Sequence, residues 1–500
     1  MSKSGRKATE ATQGASQACG RGNRRRRCRA WAVMQDDEEV GAARHRAVPS
    51  GRIARLGSFG RLAGGVAGGM LAEGARRLAA GERPAMSDLI LTPANAARVA
   101  DRLSHLRGAA MKLGQMISMD AGDVLPPELS AILARLRNQA YRMPPRQLDQ
   151  VLAREWGADW RRRFRHFEAA PMAAASIGQV HRATLPDGRV LAIKVQYPGV
   201  AESIDADVDN VATLLRLSGV LPPAIDLAPL LSEAKRQLAE EADYVREGEQ
   251  MRLYGERLAG DPRYVVPELE EVLTTRRVLA MRFVEGRPIE ALAEAPQAAR
   301  DAAMTALITL VLRELFAFGA MQTDPNFANY RWQPDTGALV LLDFGATRAV
   351  PAETAGAYRR LIEAGLARDL DRIRAIAVET GFLGEAAAAA HRPAIDRIIA
   401  AIDAALNRPG AFDFGDRAFV PVVREEAKAM IADRDTWHVP HVETLFVQRK
   451  VSGTALLAAR LKARVDVRGL AAAAIGAAPD GAASEGTGAP PAALSGHDGG

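Results

Sequence analysis

Two cysteines stand in a chain of 500 residues, and both, Cys19 and Cys28, lie within the first 30 positions. The remainder has none, which excludes disulfides and cysteine-built metal sites there and fits a reducing compartment. Long apolar runs are also missing. No stretch reaches about 18 consecutive strongly apolar residues, so an ordinary transmembrane helix is excluded. The N-terminal tail lacks the apolar run of a secretory signal. A basic body is missing too. The chain carries a formal +6, but residues 1–30 hold nine Lys or Arg against one acid, Glu10, which leaves about −2 for the rest. The basicity belongs to a tail, and no nucleic-acid partner is expected from it. That tail reads either as a basic targeting segment or as residues ahead of a start at Met34.

What is present falls into five stretches. Residues 1–50 read as a disordered basic tail. Residues 51–165 read as a helical extension. Within it, Phe59–Ala75 carries Gly60, Gly64 and Gly68, with Gly65 and Gly69 beside them. On a helix this is a flat stripe that packs on protein or lies at a membrane surface. Leu103, Leu106, Ala110, Leu113 and Ile117 recur at helical spacing in the same extension. Strand patterns cluster between about 171 and 285, in IGQVHRATL, RVLAIKVQ, RYVVPELEEV and RRVLAMRFVEG, around a long helical region at 201–258 that Pro222-Pro223 breaks. From about 288 the pattern is mostly helical, with GALVLLDFGA as the exception. Residues 476–500, rich in Gly, Ala, Ser and Pro, read as a disordered tail. Strands first and helices after predict an α+β, bilobal, protein-kinase-like fold, with one lobe at 166–287 and a helical lobe at 288–475.

Five polar positions carry the chemistry. On a strand at Val190–Gln196, Ala192, Lys194 and Gln196 share one face and Leu191, Ile193 and Val195 the other. Lys194 then points away from the apolar face, into a cleft. Alone, such a lysine is usually just solvated. Glu247, in EEADYVREGEQ, shares a helical face with Asp243 four residues earlier, and is placed to hold Lys194 toward phosphates as the helix glutamate does in protein kinases. Asp324 and Asn329, in QTDPNFANY, are five apart, the spacing of a kinase catalytic aspartate and its magnesium-binding asparagine. Gln322-Thr323 stands where His-Arg usually precedes that aspartate. Asp343 follows an apolar strand and precedes Phe344-Gly345, which predicts a magnesium ligand bridging the phosphates. In LAMRFVEGRP, the backbone from Arg282 to Val284 is placed to meet an adenine edge, with Met281 behind it. His438 and His441 flank Pro440 with no acid or cysteine to complete a ligand set, and read as structural.

With these motifs in order, the chain resembles the UbiB/AarF (ADCK-type) family of atypical, protein-kinase-like proteins of coenzyme Q biosynthesis, over roughly residues 50–470. The marks are KLGQ at Lys112–Gln115, AAAS at Ala173–Ser176, AIK ending at Lys194, EAD at Glu241–Asp243 followed by Glu247, QTDPNFAN ending at Asn329 and LLDFGATR at Leu341–Arg348. The resemblance implies an ATP- or ADP-binding site with magnesium. Ala173, Ala174, Ala175 and Ser176 cover the phosphates where conventional kinases carry glycines, and each added methyl restricts the backbone poses open to the loop. It also implies that Lys112 and Gln115 lie over the cleft, near Glu241 and Asp243. On a straight helix those two acids diverge by about 200°, so either the helix is irregular there or only one meets the lysine.

The leading functional expectation is an ATPase, or a phosphotransferase toward a small or lipid-like acceptor, supporting ubiquinone synthesis. A conventional protein kinase and a nucleotide-gated, non-catalytic scaffold are the alternatives. The partners that go with the first are an adenine nucleotide, a quinone-precursor lipid or ubiquinone-biosynthesis proteins, peripheral membrane contact and a homodimer. The expected location is cytoplasmic or peripheral at the inner membrane.

Overall fold

The computed structural model describes residues 143–476 except 176, 218–227, 434, 435 and 437–441. Helix α1 (Pro145–Trp156) precedes strands β1 (His166–Phe167), β2 (Ala173–Ala175), β3 (Gly178–Thr184) and β4 (Val190–Gln196). Helices α2 (Ile204–Leu217), α3 (Ala228–Glu241) and α4 (Tyr244–Arg257) follow, then β5 (Tyr264–Val265), β6 (Val278–Arg282) and β7 (Arg287–Pro288). Helix α5 (Gln297–Arg313) leads into β8 (Ala320–Gln322), β9 (Tyr330–Trp332), β10 (Leu339–Leu341) and β11 (Thr347–Ala349). The chain then turns helical through α6 (Ala352–Ala367), α7 (Leu370–Glu379), α8 (Glu385–Ala390), α9 (Arg392–Leu406), α10 (Val420–Ala432), α11 (Val442–Leu461) and α12 (Val467–Gly476). A small ribbon joins β12 (Phe412–Asp413) to β13 (Arg464–Val465).

Alternation builds the first sheet. Leu191, Ile193 and Val195 of β4 are fully buried, as are Val278 and Ala280 opposite Val195 and Ile193 on β6, so the two strands press one apolar face into the core. The order is β1-β3-β4-β6, antiparallel throughout, with β2 folded back on β3. The opposite face of β4 is covered as well, since Lys194 and Gln196 are also buried. Gly178 opens β3 where nothing larger fits: a Cβ there would lie 2.3 Å from the Val195 carbonyl oxygen. The alanine hairpin above it is not a packing segment. Ala173 and Ala174 are exposed while pairing with Val180 and Gln179.

The second sheet runs β5-β10-β9-β7. Tyr264–Val265, inside the stretch whose strands cluster in the first lobe, instead pairs in parallel with Leu339–Val340 of β10. Helix α5 buries Met304, Leu307 and Leu310 beneath this sheet, and a π turn at Glu314–Phe318 ends it, closed by Gly319 in the left-handed region at φ +60°. That turn swings Glu314 inside, where it is fully buried. The pattern after residue 288 is therefore less helical than the sequence suggests, because β8, β9, β10 and β11 are each only three residues long, too short for a period to register.

Candidate functional site

Lys194 lies at the centre. Its Nζ donates to both carboxylate oxygens of Glu247, at 2.8 and 3.0 Å, and to Asp343 Oδ2 at 3.2 Å. The ammonium also stands 5.0 Å from the Tyr244 ring centroid. Taking a lysine out of water costs several kcal/mol unless opposite charge meets it. Here burial works against the charge, but Asp343 and Glu247 outweigh it and hold the ammonium firmly protonated. Burial pushes the Glu247 carboxyl up to about 7, with Lys194 opposing the rise and Asp343 adding to it.

The region read as one acidic helix is two. Helix α3 stops at Glu241 and α4 starts at Tyr244, with Asp243 as its N-cap, accepting from the amides of Val245 and Arg246 at 3.2 and 3.3 Å. Of the two alternatives, the irregular helix is the one found. Gln196, from the Lys194 strand, holds the break by donating to the Ala242 carbonyl at 2.6 Å, and Gln237 reaches Glu241 at 3.4 Å. Asp243 also pairs with Arg276 at 3.3 Å. Lys112, Gln115, Ser176, His438 and His441 lie outside the described residues, so the meeting of Lys112 with either acid does too.

Two loops from the second lobe complete the cleft. Asp343 leaves β10 with Oδ1 accepting from the Gly345 amide at 3.1 Å, which fixes the carboxylate and leaves its other oxygen toward Lys194. The loop carrying Asp324 and Asn329 is strapped to this one. Thr323 donates through both its amide and its hydroxyl to the Ala346 carbonyl, at 3.1 and 2.9 Å, and Leu342 N donates to the Asn329 carbonyl at 3.0 Å. Asn329 Nδ2 donates to the Asp324 carbonyl at 3.3 Å, which turns the amide oxygen to the other side. On the first-lobe side, the amides of Arg282 and Phe283 are engaged by the carbonyls of Glu268 and Val190 at 2.8 and 2.9 Å. Those two N–H groups are thus spent on the sheet. Ala192, beside Lys194, is half-buried on β4.

The donor set suits magnesium. Among the described residues no group of three His, Cys, Asp or Glu gathers as a cation cage. Magnesium does not need one, since it keeps several waters and takes one or two carboxylates plus phosphate oxygens. Lys194 with Glu247 and Asp343 sums to one negative charge, which a divalent cation at Asp343 would offset.

Other residues shape this site without any motif to announce them. Lys450 of α11 is buried against Glu314 at 3.4 Å and donates to Tyr330 Oη at 2.8 Å and Gln322 Oε1 at 3.3 Å. Glu314 in turn accepts from Tyr254 Oη at 2.8 Å and from the Gln322 amide at 3.2 Å. Gln322 and Tyr330 flank the Asp324–Asn329 loop, so Lys450 grips both its ends. One turn further on, Gly453 lies under Pro325, where a Cβ would come within 2.2 Å of the proline Cβ. The available sequence signal was weak: a lone acid beside Arg313 in VLRELFAF and a lysine beside Arg449 in FVQRKVSG, each in a helical stretch.

Fold and cleft define a protein-kinase-like protein, and a kinase-like fold implies nucleotide binding. The chain belongs to the ABC1 atypical kinase-like family, whose domain matches residues 135–377. It is 39% identical over 432 residues to the mitochondrial atypical kinase coq-8 of Caenorhabditis elegans, covering 85% of this chain and 57% of that one. It is 36% identical over 437 residues to the mitochondrial atypical kinase COQ8 of Saccharomyces cerevisiae, covering 86% of each. The chain thus spans little more than half of the nematode relative. Among solved structures it is similar to Rv3197 of Mycobacterium tuberculosis in complex with erythromycin, with a TM-score of 0.54, 25% identity, and coverage of 75% of this chain and 94% of that one. No helix among the described residues is long and apolar enough to cross a membrane.

Proposed function

We propose that this chain is an atypical kinase or ATPase that binds magnesium–ATP between a first lobe at about 166–287 and a second at about 288–475. It acts in support of ubiquinone biosynthesis, the role the family resemblance implies. The observation that carries the reading is the Lys194 ammonium held between Glu247 and Asp343, with the Asp324–Asn329 loop strapped behind Asp343. When bound, the metal would supply charge neutralisation at the phosphates, with Asp343 and Asn329 as its protein ligands. Lys194 orients the phosphates, Glu247 orients Lys194, and Asp324 accepts the proton of the attacking hydroxyl or water. The exposed Ala173–Ala174 hairpin covers the phosphates with less freedom than glycines would allow.

The acceptor is proposed to be water or a small, lipid-like molecule and not a protein. Lys112 and Gln115 would lie over the cleft and deny a peptide access to Asp324. The test is phosphate release from magnesium–ATP by the purified chain, with and without liposomes and quinone-precursor phenols, beside a generic protein substrate. Hydrolysis without protein phosphorylation is expected. Robust phosphorylation of the generic protein would contradict the proposed acceptor, and absence of nucleotide binding would contradict the whole reading.

A further inference from the structure

Arg246 precedes Glu247 on the first turn of α4, and its side chain does something that the nucleotide site does not require of it. Its guanidinium reaches across the cleft floor to the segment behind Asp343. Nη1 donates to the Gly345 carbonyl at 2.9 Å and Nη2 to the Thr347 carbonyl at 2.5 Å. Those two carbonyls lie 99 and 101 positions along the chain. Glu247 borders the same segment while it holds Lys194: a Cβ on Gly345 would lie 3.4 Å from its Oε2. Consecutive residues of α4 therefore meet the segment at residues 345 and 347, shortly after Asp343.

Packing does not account for this placement. Arg246 borders a cavity of about 280 Å³, shared with Arg348, Thr323, Met321 and Phe446. A side chain beside a cavity is oriented by its hydrogen bonds, and a planar guanidinium meets two carbonyls at once where an ammonium meets one. A second arginine braces the same strand. Arg348 of β11 is buried, pairs with Glu233 and Glu240 of α3, and stacks 4.2 Å over the Phe446 ring. The segment after Asp343 is thus tied to α4 through Arg246 and to α3 through Arg348.

We infer that Arg246 is a positioning residue: it locks α4 onto the Asp343 segment and so keeps Glu247 and Asp343 in simultaneous reach of Lys194. In protein kinases the matching lysine–glutamate pair and the metal-binding aspartate must both be in place, and the helix position is what regulation controls. Here the helix carries its own clamp, made of one guanidinium and two backbone carbonyls. This rests on the nucleotide reading above for its functional arm, but its structural arm does not.

Two readouts on the full chain separate the claims. In hydrogen exchange without nucleotide, Arg246→Met should speed exchange of the amides at 344–349 while the second half of α4 keeps its protection. In a magnesium–ADP titration, Arg246→Met should weaken binding about tenfold, the scale set by losing charge-assisted hydrogen bonds. In a Glu247→Gln background the same change should cost less than about twofold, because it acts through Glu247. Arg246→Lys, which reaches one carbonyl only, should fall between, and it serves where the methionine variant does not fold. Unchanged exchange at 344–349 would overturn the inference. So would an affinity loss that is the same in both backgrounds, as a purely structural role would give. Failure of the unsubstituted chain to bind nucleotide would overturn the nucleotide reading alone, with the clamp then judged by exchange.

Discussion

Glu247 is 1% exposed and faces one cation and one further carboxylate. Its carboxyl is raised to about 7, so it is mostly ionised at pH 8 and mostly protonated at pH 6. Once protonated, it no longer offsets Lys194, which then leans on Asp343 alone and competes with the metal for that carboxylate. Magnesium–nucleotide affinity should therefore fall as pH drops through about 7, and Glu247→Gln should bind weakly with a flatter pH profile. Titrations of both proteins across pH 6–8 check this, since protonation of the nucleotide itself is common to both. An identical pH profile would count against the pairing. The stability linkage has the opposite slope. A carboxyl whose folded value lies above its ordinary 4.5 binds its proton more tightly when folded, so its contribution favours the fold at low pH and is lost as pH rises from about 4.5 to about 7.

At the scale of elements, α11 is the platform for the loop that holds Asp324. Lys450 grips Gln322 and Tyr330, and Gly453 seats Pro325. Removing one partner of a buried ion pair leaves the other uncompensated, at about 3–5 kcal/mol. Lys450→Met should lower stability by about that much in urea unfolding, and adding Glu314→Gln should recover part of it. Gly453→Ala is a different kind of change. A methyl cannot enter 2.2 Å from Pro325, so the loop must shift, at a stability cost of about 1–3 kcal/mol. Lys194, Glu247 and Asp343 do not sit on that loop, although Asn329 does, so turnover should drop at least about tenfold and magnesium–nucleotide affinity by clearly less. Equal losses in affinity and turnover would argue that α11 supports the whole cleft and not this loop.

This is also where the sequence stops informing. Lys194 was legible because its strand alternates, and Asp343 because an apolar strand runs straight into it. Period and spacing report which face of an element is buried. They do not report what lies opposite. Arg246 looked like an ordinary helix residue because its partners are about a hundred positions away. Tyr264–Val265 looked like a first-lobe strand because its partner β10 lies 75 residues on. The break between Glu241 and Tyr244 was legible only as one of two alternatives, because Asp243 continues a helical pattern while acting as a cap.

At the scale of the whole molecule, two sheets meet at a cleft lined by residues from β4, α4 and the loops after β8 and β10. Each sheet has its own buried apolar face, while the polar contacts across the cleft converge on Lys194 and on the segment after Asp343. This cleft is proposed to bind nucleotide through a metal held at Asp343. A thermal-shift titration with ADP, run with magnesium and with a chelator, measures it directly, comparing the unsubstituted chain with Asp343→Asn. The chain should be stabilised by ADP only with magnesium, and Asp343→Asn should abolish that gain, because the metal loses its carboxylate and the phosphates their neutralisation. An unchanged magnesium-dependent shift in Asp343→Asn would contradict the account.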